Sequence, residues 1–381
     1  MHAKRISIPP TPLDLCERSP AYVRAIAPYQ PGKPITELAR EMGLDEARIV
    51  KLASNENPLG ISPRARAAVE AALADLARYP DGFDLAKAIA GRLGVPMEAV
   101  VLGNGSNDVL EMVASAFLAP GRAAVFAQHA FAVYPLATQA RGATSIVVPA
   151  KDYGHDLPAM LAAVTPETRV VFLANPNNPT GTMLAAEALE AFLRRVPRDV
   201  VVVLDEAYNE YLAPALRCPS LAWLERHANL VVTRTFSKAY GLAGLRVGYA
   251  LCHPEVAALL NRVRQPFNVN NLALVAAIAA LDDEAFVEQS YALNVAGMAQ
   301  LTDGFKRLGL EWIPSYGNFV SVAVPREKGA SRAGAVFQRL LEQGVIVRPV
   351  AGYGMPDHLR VTVGLPEENE RFLAALARAL A

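Results

Sequence analysis

From about residue 62 onward, short runs that are apolar at nearly every position alternate with longer stretches whose apolar residues recur every three or four positions. Unbroken apolar runs mark strands covered on both faces, and the longer period marks amphipathic helices. The strand candidates are 123–127, 144–148, 169–173, 200–204, 229–233 and 246–250. This alternation predicts an α/β fold whose large domain is a mostly parallel sheet covered by helices. Residues 1–60 are rich in proline and turn residues, with one helical stretch at 35–42, and read as an arm lying across another part of the chain. The pattern breaks near Gln265-Pro266-Phe267, and an alanine-rich helical region then runs to about Leu308. Beyond it, 319–323, 345–347 and 359–363 read as strands separated by helices. The expected organisation is an N-terminal arm (1–60) associated with a small domain, a large domain (61–265), and a smaller C-terminal α/β domain (266–381).

Length agrees with this division, because 381 residues exceed one ordinary core and suit two unequal ones with a cleft between them. Lys plus Arg and Asp plus Glu both number 37, so the net charge is zero and no broad field exists to attract nucleic acid or an anionic membrane. The 52% hydrophobic content is spread out, without the roughly 18 to 20 unbroken apolar residues of a membrane span. The first ten residues lack the apolar stretch of a secretion signal, so a cytoplasmic location is expected. Cys16, Cys218 and Cys252 are odd in number and far apart, which speaks against a disulfide framework or a zinc site. All three read as buried or half-buried apolar residues, and no metal is expected.

In open parallel sheets, ligands bind outside the carboxyl ends of the strands. Here those ends are polar. Leu204 leads into Asp205-Glu206-Ala207-Tyr208, Leu173 into a loop containing Asn175, Asn178 and Gly181, and Thr233 into a segment containing Ser237 and Lys238. Gly103-Asn104-Gly105-Ser106-Asn107-Asp108 precedes a helical pattern with Val109, Leu110, Val113 and Phe117 on one face. Such a start suits an anion, although Asp108 stands where a dinucleotide fingerprint needs its third glycine. Taken alone it is equally an ordinary capped turn. A lysine becomes a covalent carbonyl partner when burial or neighbouring cations lower its pKa, and Lys238 has Ser237 and Arg246 nearby in sequence.

The stretches Asn-Pro-Asn-Asn-Pro-Thr-Gly (175–181), Asp-Glu-Ala-Tyr (205–208) and Ser-Lys-Ala-Tyr-Gly-Leu-Ala-Gly-Leu-Arg-Val-Gly-Tyr (237–249) together resemble the fold-type I, pyridoxal-phosphate-dependent aminotransferases of classes I and II. The likeness covers nearly the whole chain. It is strongest for the histidinol-phosphate branch, through 52–58, Arg78-Tyr79-Pro80 and 348–360.

The resemblance implies that Lys238 is the Schiff-base lysine and the base that moves the α-proton of the substrate. It implies that Asp205 binds the pyridine nitrogen, that Asn178 and Tyr208 hydrogen-bond the ring hydroxyl, and that Phe131 stacks on the ring. The family more often has tyrosine there, and Tyr134 is the second candidate for stacking. Gly105, Ser106 and Asn107 with Ser237 and Arg246 would hold the phosphate, and Tyr79 would reach it from the other subunit of a homodimer. Arg360 shares one face of its strand with Thr362 and would anchor the substrate carboxylate, a task that suits a planar guanidinium. Arg348, Tyr29 and Asn57 are candidates for the far end of the substrate.

The implied reaction is a ping-pong transamination of L-histidinol phosphate with 2-oxoglutarate as the oxo-acid partner. An aromatic amino-acid or broad-range aminotransferase on the same scaffold remains open, as does an amino-acid-phosphate decarboxylase using the same lysine. A cofactor-binding regulatory domain would normally bring a basic DNA-binding module, for which charge balance and length leave no room.

Overall fold

The computed structural model describes residues 13–28 and 32–381. Among the described residues, thirteen strands form three sheets: β1 (Val50–Lys51), β2 (Val100–Gly103), β3 (Ala123–Ala127), β4 (Thr144–Val148), β5 (Thr168–Ala174), β6 (Val201–Asp205), β7 (Leu230–Thr235), β8 (Gly248–Cys252), β9 (Trp312–Ile313), β10 (Phe319–Ala323), β11 (Val345–Ile346), β12 (Arg348–Pro349) and β13 (His358–Thr362).

The largest sheet has the order β2-β8-β7-β6-β5-β3-β4. Its pairings are parallel from β4 through β7, while β8 runs antiparallel to both β7 and β2. The two central strands, β5 and β6, are buried along their whole length apart from the half-buried Arg169, which is the burial that their unbroken apolar runs predicted. Two hydrophobic clusters lie on its two faces. One contains Val171, Val202, Val232 and Trp223, and the other Val170, Val203, Val231 and Tyr134. Alternate residues of each strand thus serve opposite layers.

The second sheet, β12-β13-β10-β9, is antiparallel throughout. Its core gathers Val320, Leu359, Val361 and Phe372 with Val50 and Leu52 of the N-terminal segment. That segment also contributes β1, which pairs in parallel with β11. Chain that precedes the large sheet is therefore packed into the layer formed by the chain's end.

The alanine-rich region is two helices, Asn271–Leu281 and Glu284–Arg307. The first lies C-terminal to the boundary expected at 265, yet Ala273, Ala276, Ala277 and Ala280 belong to the core of the large sheet. Small side chains on several of its faces let it approach the helices Pro63–Ala72 and Phe83–Leu93 closely. Of the cysteines, Cys252 is buried and Cys218 half-buried, but Cys16 is exposed. It sits in the five-residue helix Leu13–Glu17, which is too short to present a covered face.

Candidate active site

A cleft containing about 890 Å³ of empty space opens at the carboxyl ends of β5, β6 and β7, and is closed on its far side by β12, β13 and residues 53–55. Ser106, Asn107, Phe131, Asn178, Asp205, Tyr208, Ser237, Lys238, Arg246, Arg348 and Arg360 all line it.

One end of the cleft is built for an anion. The helix Ser106–Phe117 begins there, with Gly105 at its N-cap and no side-chain cap on its first turn. Gly105 has φ 77°, and a Cβ on it would lie 2.5 Å from Nη2 of Arg246. Only glycine lets the guanidinium come this close to the helix start. Nη1 of Arg246 donates to the Ala243 carbonyl at 3.0 Å and to Ser237 Oγ at 3.4 Å. A helix N-terminus, a hydroxyl and a guanidinium thus converge.

At the middle of the cleft, the Asp205 carboxylate is 5% exposed. Burial pushes its carboxyl upward in pKa, opposed by hydrogen bonds from Tyr134, Thr233 and the backbone of Ala207. Tyr208 Oη accepts a hydrogen bond from Asn55 Nδ2 at 2.9 Å, and burial pushes the phenol up to about 12, so it keeps its proton to donate. In the loop after β5, Asn177 Nδ2 bonds the His129 carbonyl and Thr180 Oγ1, and Asn175 Oδ1 receives the N–H of Leu184. These two asparagines brace the loop while Asn178 faces the cleft.

Lys238 follows β7 in a turn closed by the Gly241 N–H on the Lys238 carbonyl at 2.9 Å. Gly241 has φ 71°, and a Cβ there would lie 2.0 Å from the Gly60 carbonyl, so this turn accepts only glycine beneath the arm. The Lys238 amine donates to the Ser54 carbonyl at 3.3 Å and lies 5.9 Å from the centroid of the Tyr208 ring. Burial first, and then repulsion by Arg360, push it down from 10.5 to about 8. An amine with its pKa lowered in this way can serve as a nucleophile or a base.

Arg360 is 6% exposed. It donates from Nη1 to Asn178 Oδ1 at 2.5 Å and from Nη2 to the Ala53 carbonyl at 2.8 Å, with its guanidinium 5.3 Å from the centroid of Phe319. Arg348 is its direct partner across β12 and β13. Directly opposed residues share a sheet face with Cβ atoms about 5 Å apart, so two guanidiniums project side by side into one cleft.

Phe131 and Tyr134 separate in the structure. Phe131 lines the cleft, whereas Tyr134 is fully buried behind it and does not stack there. Its ring lies parallel to Phe172 at 4.8 Å. Asn57 is not brought to the cleft either: its amide donates to the Ala239 carbonyl and Ser290 Oγ and accepts from Leu59 N–H, tying the arm to the helix Glu284–Arg307. Tyr79 stands away from the cleft of its own chain, 82% exposed and stacked at 4.5 Å on the exposed Phe267. Tyr29 lies outside the described residues. The residues that the sequence reading missed are Asn55 and Tyr353, both lining the cleft. Asn55 sits inside a motif singled out above, but its left-handed φ of 55° and its bond to Tyr208 are tertiary facts.

The family model for aminotransferase class I and II matches residues 47–376. The chain is 62% identical over 370 residues to a histidinol-phosphate aminotransferase of Nitrosospira multiformis, covering 97% of this chain and 93% of that protein. It is 63% identical to one from Dechloromonas aromatica, covering 97% and 100%. Among solved structures, histidinol-phosphate aminotransferase from Sinorhizobium meliloti in complex with pyridoxal-5'-phosphate superposes with a TM-score of 0.87 at 29% identity, covering 95% of this chain and 97% of that one.

Proposed function

Because this chain belongs to the class I and II aminotransferases, we propose that it exchanges an amino group between L-histidinol phosphate and 2-oxoglutarate, giving imidazole-acetol phosphate and L-glutamate in histidine biosynthesis. Pyridoxal 5'-phosphate is the cofactor in this reading. The cleft fits its groups one by one, with a cradle at Gly105 that a Cβ would fill, a buried carboxylate at Asp205, a buried phenol at Tyr208 and an amine with lowered pKa at Lys238. When bound, this cofactor supplies an aldehyde that exchanges amines and a cationic ring that accepts the electrons of the substrate's Cα–H bond.

The protein's own residues do the rest. Ser106, Asn107, Ser237 and Arg246 would bind the phosphate, and Phe131 would stack on the ring. Asp205 would pair with the ring nitrogen, where its negative charge would favour the protonated form. Tyr208 would donate to the ring hydroxyl, and Asn178 would do so through its NH2, since its amide oxygen is taken by Arg360. Lys238 Nζ, neutral in a large fraction near pH 8, takes the proton at the substrate's Cα and returns it in the reverse half-reaction.

The observation that carries the substrate assignment is Arg348 beside Arg360. Glutamate carries two carboxylates, and histidinol phosphate carries a phosphate ester and no carboxylate. One site that serves both in turn must recognise an anion without regard to its shape, which paired guanidiniums do. The exposed Tyr79 and Phe267 supply an aromatic patch for a second copy, with Tyr79 reaching the phosphate end of the partner's cleft in a homodimer. No described helix is long and apolar enough to cross a membrane, and the enzyme is assigned to the cytoplasm.

Steady-state kcat/KM for L-histidinol phosphate and for L-phenylalanine, each with 2-oxoglutarate, tests the assignment. A preference for histidinol phosphate is expected, and a preference for phenylalanine overturns it.

A further inference from the structure

Both oxygens of the Asp205 carboxylate are held by neutral hydroxyls. Tyr134 Oη donates to Oδ2 at 2.9 Å, and Thr233 Oγ1 donates to Oδ1 at 3.1 Å. Tyr134 is fully buried, clamped against Phe172 at an interplanar angle of 5° and meeting the edge of Phe131 at 5.8 Å. Its own backbone carbonyl is fixed by Thr138 Oγ1 at 2.8 Å. A phenol so enclosed has one orientation, and Asp205 lies at the end of it. Neither the ring-facing role of Phe131 nor the substrate-binding role of the arginines accounts for this buried polar contact.

We infer that Tyr134 is a positioning residue which, together with Thr233, fixes the orientation and the negative charge of Asp205 for the nitrogen of the bound pyridine ring. The inference rests on the cofactor assignment made above. A carboxylate buried this deeply is costly to ionise unless donors compensate it, and charge-assisted hydrogen bonds are the means available here. Ion pairing would serve less well. A cation bonded to Asp205 would cancel the field at the ring nitrogen, whereas hydroxyl donors stabilise the carboxylate and leave its net charge in place. Through the same ring, Tyr134 also backs Phe131, so one side chain supports both the partner of the ring nitrogen and the wall of the ring's binding slot.

The role is separable from packing by using two ligands that differ at one atom. Apo-protein is titrated with pyridoxal phosphate and with its analogue carrying carbon in place of the ring nitrogen, for wild type, Tyr134→Phe and Thr233→Val. Phenylalanine keeps the stacking on Phe172. Each variant is expected to lose on the order of tenfold in affinity for pyridoxal phosphate while binding the carbon analogue within about twofold of wild type, since only the first ligand offers a proton to Asp205. Equal weakening toward both ligands reduces Tyr134 to a packing residue and overturns the inference, as does no weakening toward either. Should Tyr134→Phe fail to fold, Thr233→Val reads the same signature from the other oxygen. A wild-type protein that binds neither ligand refutes the cofactor assignment itself, a result distinct from the two outcomes that overturn only the role of Tyr134.

Discussion

Arg360 on β13 donates to Asn178 in the loop after β5 at 2.5 Å, so the guanidinium proposed to meet the substrate is bonded to a residue proposed to meet the cofactor. A second bond to the Ala53 carbonyl leaves it little freedom to rotate. Arg360→Lys retains the charge but cannot span both acceptors. The expected result is a loss of about a hundredfold in kcat/KM for both glutamate and histidinol phosphate, with the fold intact by circular dichroism. An effect confined to one of the two substrates contradicts a shared anion site.

Lys238 provides a pH signature. Its amine is held at about 8 rather than 10.5, so the neutral, reactive form predominates above pH 8 in the folded protein. Uptake of pyridoxal phosphate by apo-protein, followed by absorbance, is expected to accelerate with a midpoint near pH 8. Arg360→Met removes a repelling cation and moves that midpoint upward. Lys238→Ala abolishes the covalent chromophore, and its persistence refutes the assignment.

The same shift bears on stability. Between pH 8 and 10.5 the unfolded chain binds a proton at this lysine that the folded protein does not, so folding gains stability as pH rises through that window. Below pH 8 both states are protonated and the full penalty remains. Apo Lys238→Met is therefore expected to melt at a higher temperature than apo wild type at pH 7, with the gap closing above pH 10. An apo variant that melts lower than wild type at pH 7 contradicts this account.

Asn55 combines a left-handed φ of 55° with bonds to Tyr208 Oη and Thr362 Oγ1. Asn55→Ala loses the donor to Tyr208 and places an alanine where L residues are strained, for an expected destabilisation of about 2 to 3 kcal/mol by urea titration. Asn55→Gly removes the strain and restores part of the stability, while the donor to Tyr208 stays lost.

Tyr79 is so exposed in the single chain that Tyr79→Ala costs the isolated fold almost nothing. In the proposed homodimer its effect would fall on the assembly. Sedimentation velocity is expected to show a dimer for wild type, and Tyr79→Ala is expected to bind pyridoxal phosphate more weakly. A monomeric wild type with full activity excludes the shared site.

The strand β3 coincides with the apolar run that predicted it, because a run buried on both faces carries its own boundaries; β4 also has its expected span, but it is the edge strand of the sheet and only Val148 is buried. β2 went unseen. It has four residues ending in the glycine turn, and its antiparallel partner β8 is far away in sequence. The helix Asn271–Leu281 reads as part of the C-terminal layer because it follows a proline break, and only its contacts with Pro63–Ala72 assign it elsewhere. Among the site residues, those that follow strands were legible since topology gathers strand ends at one edge. Phe131 and Tyr134, three residues apart and both aromatic, are ranked for stacking only by the family resemblance, which puts Phe131 first; nothing in their residue type or spacing tells them apart. What separates them is the hydroxyl of Tyr134, which finds Asp205 only after β3, β6 and β7 have come together. Asn57 was legible as polar and near the site, but its amide is spent on the Ala239 carbonyl and Ser290.

The parallel pairing of Val50 with Val345 gives the molecule an order of events. During synthesis β1 leaves the ribosome long before β11, its strand partner, is made. For most of translation β1 and Leu52 wait without the surface they will cover, while the large sheet between them has everything it needs to form. Loss of residues from either terminus should therefore strip the same layer, and a nascent chain stalled before residue 345 would expose one defined apolar seam to a chaperone.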